Sequence, residues 1–303
     1  MTGSNGNPTT NPAVQYLATC WTTAGDVMPS RNGDLSSVPI ERRVHAAAAA
    51  GYTGFGIGHN DIVALRDGIG FSEFRRILDD SGIATLELEY IDDWWESCER
   101  RRASDVVRAD LFEAASTLGA AHIKAGLGRI GDTFNPEPIY AEFDLLATQA
   151  ARVGTKIALE PAAFSMTPTI EPSARMVAEV GNAAGGLLVD IWHIFRGDTG
   201  YDTLTQLLDP RYVFAVELND GWALPIGDLF DDTFDNRQYC GEGDFAVQSF
   251  VEAMIGIGYT GPWGLEMMSA EYRTISPERG AAEVLKAADT VVKSAYSALR
   301  GAV

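Results

Sequence analysis

The sequence predicts one closed (β/α)₈ barrel. Three observations predict it: eight short apolar runs alternate with longer amphipathic stretches, the runs begin about every 25 to 50 residues, and no linker breaks the series. The expected strands are residues 14–20, 54–58, 83–89, 122–125, 156–160, 187–191, 213–218 and 263–267. Between them, helical periodicity runs through 41–50, 71–80, 104–118, 139–153, 172–182 and 245–257, and a helix closes the chain. Ser104 with Asp105 and Pro172 with Ser173 read as helix starts, and glycines such as Gly51, Gly119 and Gly258 mark the turns back to strands. The rival architecture, an open doubly wound sheet, wants a glycine-rich phosphate loop after its first strand; here that place reads LATCWTTAGDVMP. Residues 1–12, polar and without an apolar core, read as a flexible leader to a single barrel domain over 13–303.

Composition narrows the partners. The chain has 303 residues, 46% of them hydrophobic, and a formal net charge of -19. Nucleic acid and acidic membrane surfaces are poor partners for such a charge, because phosphate binding rests on Lys and Arg. Three widely spaced cysteines form neither a disulfide framework nor a zinc cluster, which fits a reducing cytoplasm. No apolar stretch approaches the roughly 20 residues that cross a bilayer.

In a barrel, functional side chains sit at the C-terminal ends of the strands. Four apolar runs of the second half end in an acid: IALEP with Glu160, LLVDIWH with Asp190, FAVELND with Glu217 and WGLEMMS with Glu266. Taken singly, each acid can equally cap the next helix or pair with an arginine. Together, at equivalent places around one ring, they point at a common centre and repel one another unless a cation joins them. An oxygen-rich site of this kind suits one divalent ion, Mn²⁺ or Mg²⁺ first, with Co²⁺ and Zn²⁺ as further options.

The first half is less specific. His59 either reaches the mouth or caps a helix. His122 and Lys124 share a strand face, with Lys124 nearer the strand end; it is a candidate for a substrate or proton-transfer role, or for a salt bridge to Glu89 or Glu160. Glu87 and Glu89 also share a face. Trp21 and the Trp94–Trp95 pair follow strands one and three, where aromatic walls suit sugars and aglycones, or else simply pack. His45 reads as structural.

From residue 157 to 269 the sequence resembles the xylose-isomerase-like sugar isomerase/epimerase superfamily, through ALEP, VDIWHIFRG, VELND, YCGEGDF and GYTGPWGLE in that order, and the likeness extends over nearly the whole chain. The resemblance implies a TIM barrel in which Glu160 and Glu266 bind the metal and double as acid and base. It makes Asp190 a third ligand and His193 the contact to a substrate oxygen. It places Asp220 where an acid orients a ligand, and Arg237 where an arginine serves the substrate or a catalytic acid. The strand-seven position usually holds a metal-binding histidine; here it is Glu217, which either ligates through oxygen or leaves the site rebuilt.

The expected activity is isomerisation or epimerisation of a sugar, keto sugar or cyclitol through an enediolate. The alternative is a lyase acting on a keto substrate, of the inosose or dehydroshikimate dehydratase type, or an eliminase cleaving 3-keto O- or C-glycosides. An inactive barrel serving as a binding subunit is a further reading. The superfamily's nucleases are disfavoured by four histidines and the acidic excess. A free sugar is favoured over a sugar phosphate, and a homo-oligomer or a partner subunit stays open.

Overall fold

A computed structural model of the chain describes residues 14–29 and 34–301; the leader expected over 1–12 lies outside them. In chain order the elements are β1 (Tyr16–Ala18), α1 (Cys20–Thr23), α2 (Ile40–Ala50), β2 (Gly54–Gly58), α3 (His59–Asp67), α4 (Phe71–Asp80), β3 (Thr85–Ile91), α5 (Cys98–Leu118), β4 (His122–Ala125), α6 (Pro136–Arg152) and β5 (Ile157–Leu159). The second half continues with α7 (Ile170–Val180), β6 (Gly185–Asp190), α8 (Ile191–Arg196), α9 (Tyr201–Leu207), β7 (Val213–Leu218), α10 (Leu229–Asp235), α11 (Val247–Ile257), β8 (Trp263–Leu265) and α12 (Pro277–Gly301). Each strand pairs in parallel with the next, and β8 returns to β1, so the sheet is a closed TIM barrel.

The helices form because their apolar residues fall on one face. In α4, Phe71, Phe74, Ile77 and Leu78 are buried while the intervening acids and arginines face water. Gly119 and Gly181 end α5 and α7 in the left-handed conformation that a β-carbon disfavours. Two helix starts differ from expectation. α5 begins six residues before Ser104, because its first turns are held by charge pairs (Arg100–Glu96 and Arg101–Asp105, each one turn apart) rather than by an apolar face. Ser104 lies inside the helix and donates to the Asp92 carbonyl at 2.6 Å. α7 begins at Ile170, so Pro172 sits in its first turn, where its missing N–H costs nothing. No helix among the described residues is long and apolar enough to cross a membrane.

Inside the ring, strand alternation builds layers. Ala158, Leu188 and Ala215 form a small apolar cluster of their own, separate from the main core between sheet and helices. Each stands two residues before Glu160, Asp190 or Glu217, so the acids form the layer directly above. Gly264 takes the matching place below Glu266, and a β-carbon there would come within 2.9 Å of Glu217 Cγ; the glycine makes room for that side chain.

Candidate metal centre and cavity

Strands β5 to β8 deliver the four acids to one place. Ligand oxygens of Glu160, Asp190, Glu217 and Glu266 lie within 4.8 Å of one another, and Glu160, Asp190 and His193 form an overlapping set at the same spacing. All of these side chains are buried. The two simpler readings of such acids hold in part for Asp190: its Oδ1 accepts from Trp192 N at 2.9 Å, capping α8, and its Oδ2 accepts from Arg237 at 2.9 Å. The capping role leaves the acid at the centre of the group.

Two fixed cations among the described residues reach into this cluster. Arg237, on the loop after α10, places Nη1 2.9 Å from both Asp190 Oδ2 and Glu266 Oε2. Lys124, wholly buried, places Nζ 2.5 Å from Glu217 Oε1, 2.9 Å from Glu266 Oε1 and 3.0 Å from Glu89 Oε2. His122 sits one layer lower, its Nε2 2.7 Å from Glu87 Oε2. His193 Nδ1 accepts from Ala163 N at 3.2 Å, which assigns the proton of the neutral ring to Nε2, 3.4 Å from Glu160 Oε1. Asn219, which the sequence reading passed over, donates to Asp190 Oδ1 at 2.8 Å; only the fold brings its amide under the acid.

Six carboxylates (Glu87, Glu89, Glu160, Asp190, Glu217 and Glu266) thus share too little positive charge, and the proton affinities follow. Burial, with Glu266 alongside, pushes Glu217 well above the usual carboxylate range. Burial raises Glu89 to about 7 and also raises Glu266, against the pull of Lys124. Burial opposes the charged forms of Glu160 and Asp190 too, but His193 holds the first below its ordinary value and Arg237 the second. Lys124 would lose its proton to burial alone; Glu217, Glu266 and Glu89 hold it firmly charged. Glu217 Oε2, Glu89 Oε1 and Asn219 Oδ1 have no hydrogen-bond partner, while Glu217 Oε1 meets the Lys124 ammonium. Buried carboxylate oxygens without donors are costly, and a divalent cation satisfies them. The residues therefore fit an ion held mainly by oxygen.

Above the cluster opens a cavity of about 920 Å³. Glu89, Glu160, His193, Arg237 and Glu266 line it, while Lys124, Asp190 and Glu217 do not. Trp21 and His59 line it, with His59 Nε2 2.8 Å from Asp110 Oδ2. Ile130, Phe164, Phe230, Phe234 and Met268 give part of its lining an apolar character, beside the charged Asp34, Asp92, Arg129 and Asp228. Trp94 corrects the expectation of an aromatic wall after β3. Its indole is fully buried against Phe143 and its N–H is spent on the Gly126 carbonyl at 2.7 Å, so it packs the barrel and does not face the cavity. Asp220 accepts from the backbone N–H groups of Gly221, Gly241 and Phe245 and ties the loops after β7 together.

In closed parallel barrels, active sites lie at the C-terminal ends of the strands, the end at which this chain gathers its acids and opens its cavity. The chain belongs to the xylose isomerase-like TIM barrel family, whose sequence model matches residues 44–291. It is 27% identical over 252 residues to a 3-dehydroshikimate dehydratase of Pseudomonas aeruginosa, a match that takes in 82% of this chain and 39% of that protein. It is 26% identical over 154 residues to an inosose isomerase of Bacillus subtilis, covering 50% of this chain and 54% of the relative. The chain thus spans between about two fifths and half of these relatives' lengths. Among solved structures, the IOLI protein with a bound zinc atom superposes with a TM-score of 0.76 at 20% identity, over 85% of this chain and 94% of that one.

Proposed function

We propose that this chain is a divalent-metal-dependent isomerase or epimerase of a sugar, keto sugar or cyclitol. The observation that carries the reading is the convergence of Glu160, Asp190 and Glu266, from three different strands, on one point beside a cavity that Glu160 and Glu266 line. Glu160, Asp190 and Glu266 would hold the ion. The chemistry such an ion would supply is polarisation of a carbonyl and its neighbouring hydroxyl, which would acidify the carbon between them. The remaining work belongs to side chains that line the cavity. Glu160 or Glu266 takes the proton from that carbon and the other carboxyl returns one. His193, with its proton on Nε2, donates to a substrate oxygen, while Arg237 keeps Asp190 and Glu266 in place and offers charge to the developing anion. A proton returned to the opposite face gives an epimer; one returned to the adjacent carbon gives the aldose–ketose isomer.

The test is deuterium exchange. Metal-stripped protein reloaded with Mn²⁺ and given a panel of keto sugars and inososes in D₂O is expected to place deuterium at the carbon beside the carbonyl, with Glu160→Gln and Glu266→Gln each lowering the rate by about 10³-fold, within the range one acid–base group contributes. Folded, Mn²⁺-loaded protein that exchanges no substrate of the panel sinks the reading.

A second reading, elimination, has its own support. The cavity, about 920 Å³, lies near the upper end of the ~300–1,000 Å³ that accommodates drug-sized ligands, and its lining includes Phe164, Phe230 and Phe234, so a substrate can carry a large leaving group beyond the sugar ring. The dehydratase likeness points the same way. If an aryl 3-keto-glucoside releases its phenol while the free keto sugar only exchanges, the chain is a lyase on glycosides.

A further inference from the structure

Buried side-chain oxygens without a hydrogen-bond partner occur, among the described residues, on Glu87, Glu89, Thr155, Glu217 and Asn219. Of these residues only Glu89 lines the cavity. Its Oε2 lies 3.0 Å from the Lys124 ammonium, and Oε1 is the oxygen left over. The Cys20 thiol stands beside the carboxyl, but a thiol is a weak donor. A buried acceptor in that condition destabilises the fold unless a ligand or water bonds to it, and on a cavity-lining residue a ligand can do so. Its place in the ring matters as much. The four acids of the metal group stand at the ends of β5 to β8, whereas Glu89 is on β3, which lies opposite β7 in the closed sheet. A substrate whose reacting carbon lies at Glu160 and Glu266 would therefore present its far side to Glu89. Burial lifts this carboxyl to about 7, so both of its forms are present near neutrality. A hydroxyl suits both, donating to the ionised form and accepting from the protonated one, whereas an ammonium or a second carboxylate suits one alone.

We propose that Glu89 is a specificity-determining residue whose Oε1 bonds a substrate hydroxyl on the side of the sugar or cyclitol ring away from the reacting carbon. The site then selects polyhydroxylated keto substrates over those bare of oxygen on that side, because without the hydroxyl the carboxyl stays unsatisfied. This rests on the proposed function of the cavity, and it leaves the roles of Glu160 and Glu266 as they are.

Deuterium exchange in D₂O by Mn²⁺-loaded protein reads the contact through a pair of probes. One is the fastest-exchanging inosose or keto sugar of the panel above, with hydroxyls round its ring; the other is 2-hydroxycyclohexanone, which keeps only the carbonyl and the neighbouring hydroxyl. Glu89→Leu is expected to lower kcat/KM for the first by about 30-fold, mostly through KM, and to change that for 2-hydroxycyclohexanone by less than about threefold. Glu89→Gln, which keeps an oxygen at that place, is expected to recover most of the loss. Equal losses on the two probes, or no loss on either, overturn the proposal while the proposed function stands. Should Glu89→Leu not fold, or 2-hydroxycyclohexanone not exchange, crystals of the unaltered protein soaked with the first probe decide. A hydroxyl within hydrogen-bond distance of Glu89 Oε1 supports the proposal; a probe that leaves that oxygen to water, or no bound probe, refutes it. Unaltered protein that exchanges no compound of the panel defeats the proposed function, and this proposal falls with it.

Discussion

At the residue scale, Arg237 shows how tightly charge is balanced in the barrel mouth. One guanidinium nitrogen serves Asp190 and Glu266 at 2.9 Å each, and the rest of the group is anchored on Thr233. Arg237→Met keeps most of the volume but removes the one cation in contact with the buried Asp190 carboxylate and one of the two on Glu266, a change that costs about 3–5 kcal/mol. Thermal unfolding of the metal-free variant is therefore expected well below that of the parent, with Mn²⁺ restoring more of the loss in the variant than it adds to the parent; equal melting points would show that the arginine balances nothing. The acids themselves were legible in the sequence, because a carboxylate that ends an apolar run needs a reason to be there. Lys124 was legible as a residue of interest but its direction was not: a strand pattern says which face a side chain takes, not whether a long one rises to the mouth or crosses to the far wall. Trp94 was misread for a similar reason, since a tryptophan in a loop carries no mark of which side it will turn to.

At the element scale, the helices that brace the ring are tied by charge as well as by packing. Arg42 on α2 and Glu278 on α12 meet in a two-pronged contact, Nε to Oε1 at 2.6 Å and Nη2 to Oε2 at 3.0 Å. That contact lowers the Glu278 carboxyl from its ordinary 4.5 to about 2. A carboxyl whose proton affinity falls on folding stabilises the fold above its unfolded value and loses that contribution as pH drops toward the folded one. Replacing Glu278 by Gln is thus expected to lower the melting point slightly at pH 6, less at high salt, and to leave it unchanged near pH 2; a difference that persists at pH 2 would contradict the assignment. Strand positions and most helices followed from apolar periodicity. The short α3 did not, because only Asp61, Ile62 and Leu65 of its nine residues are buried, and the first turns of α5 did not, because charge pairs rather than an apolar stripe hold them.

At the scale of the whole molecule, a site that gathers so many buried acids leaves the protein in want of a cation. Divalent metal that binds only the folded chain adds stability as its concentration rises, about 2.7 kcal/mol at a hundred times its dissociation constant. Stripping with a chelator is accordingly expected to lower the melting point and Mn²⁺ to restore it; indifference to both would favour a barrel that serves only to bind a partner. Ring closure itself has a temporal side. β1 lies at residues 16–18, yet one of its two neighbours is β8 at 263–265. During synthesis, the unfinished sheet therefore exposes two open edges, β1 and whichever strand emerged last, until β8 has left the ribosome. Exposed parallel edges invite pairing with other chains. The interval before β8 appears is the period in which a nascent copy is most prone to aggregate and most in need of a chaperone.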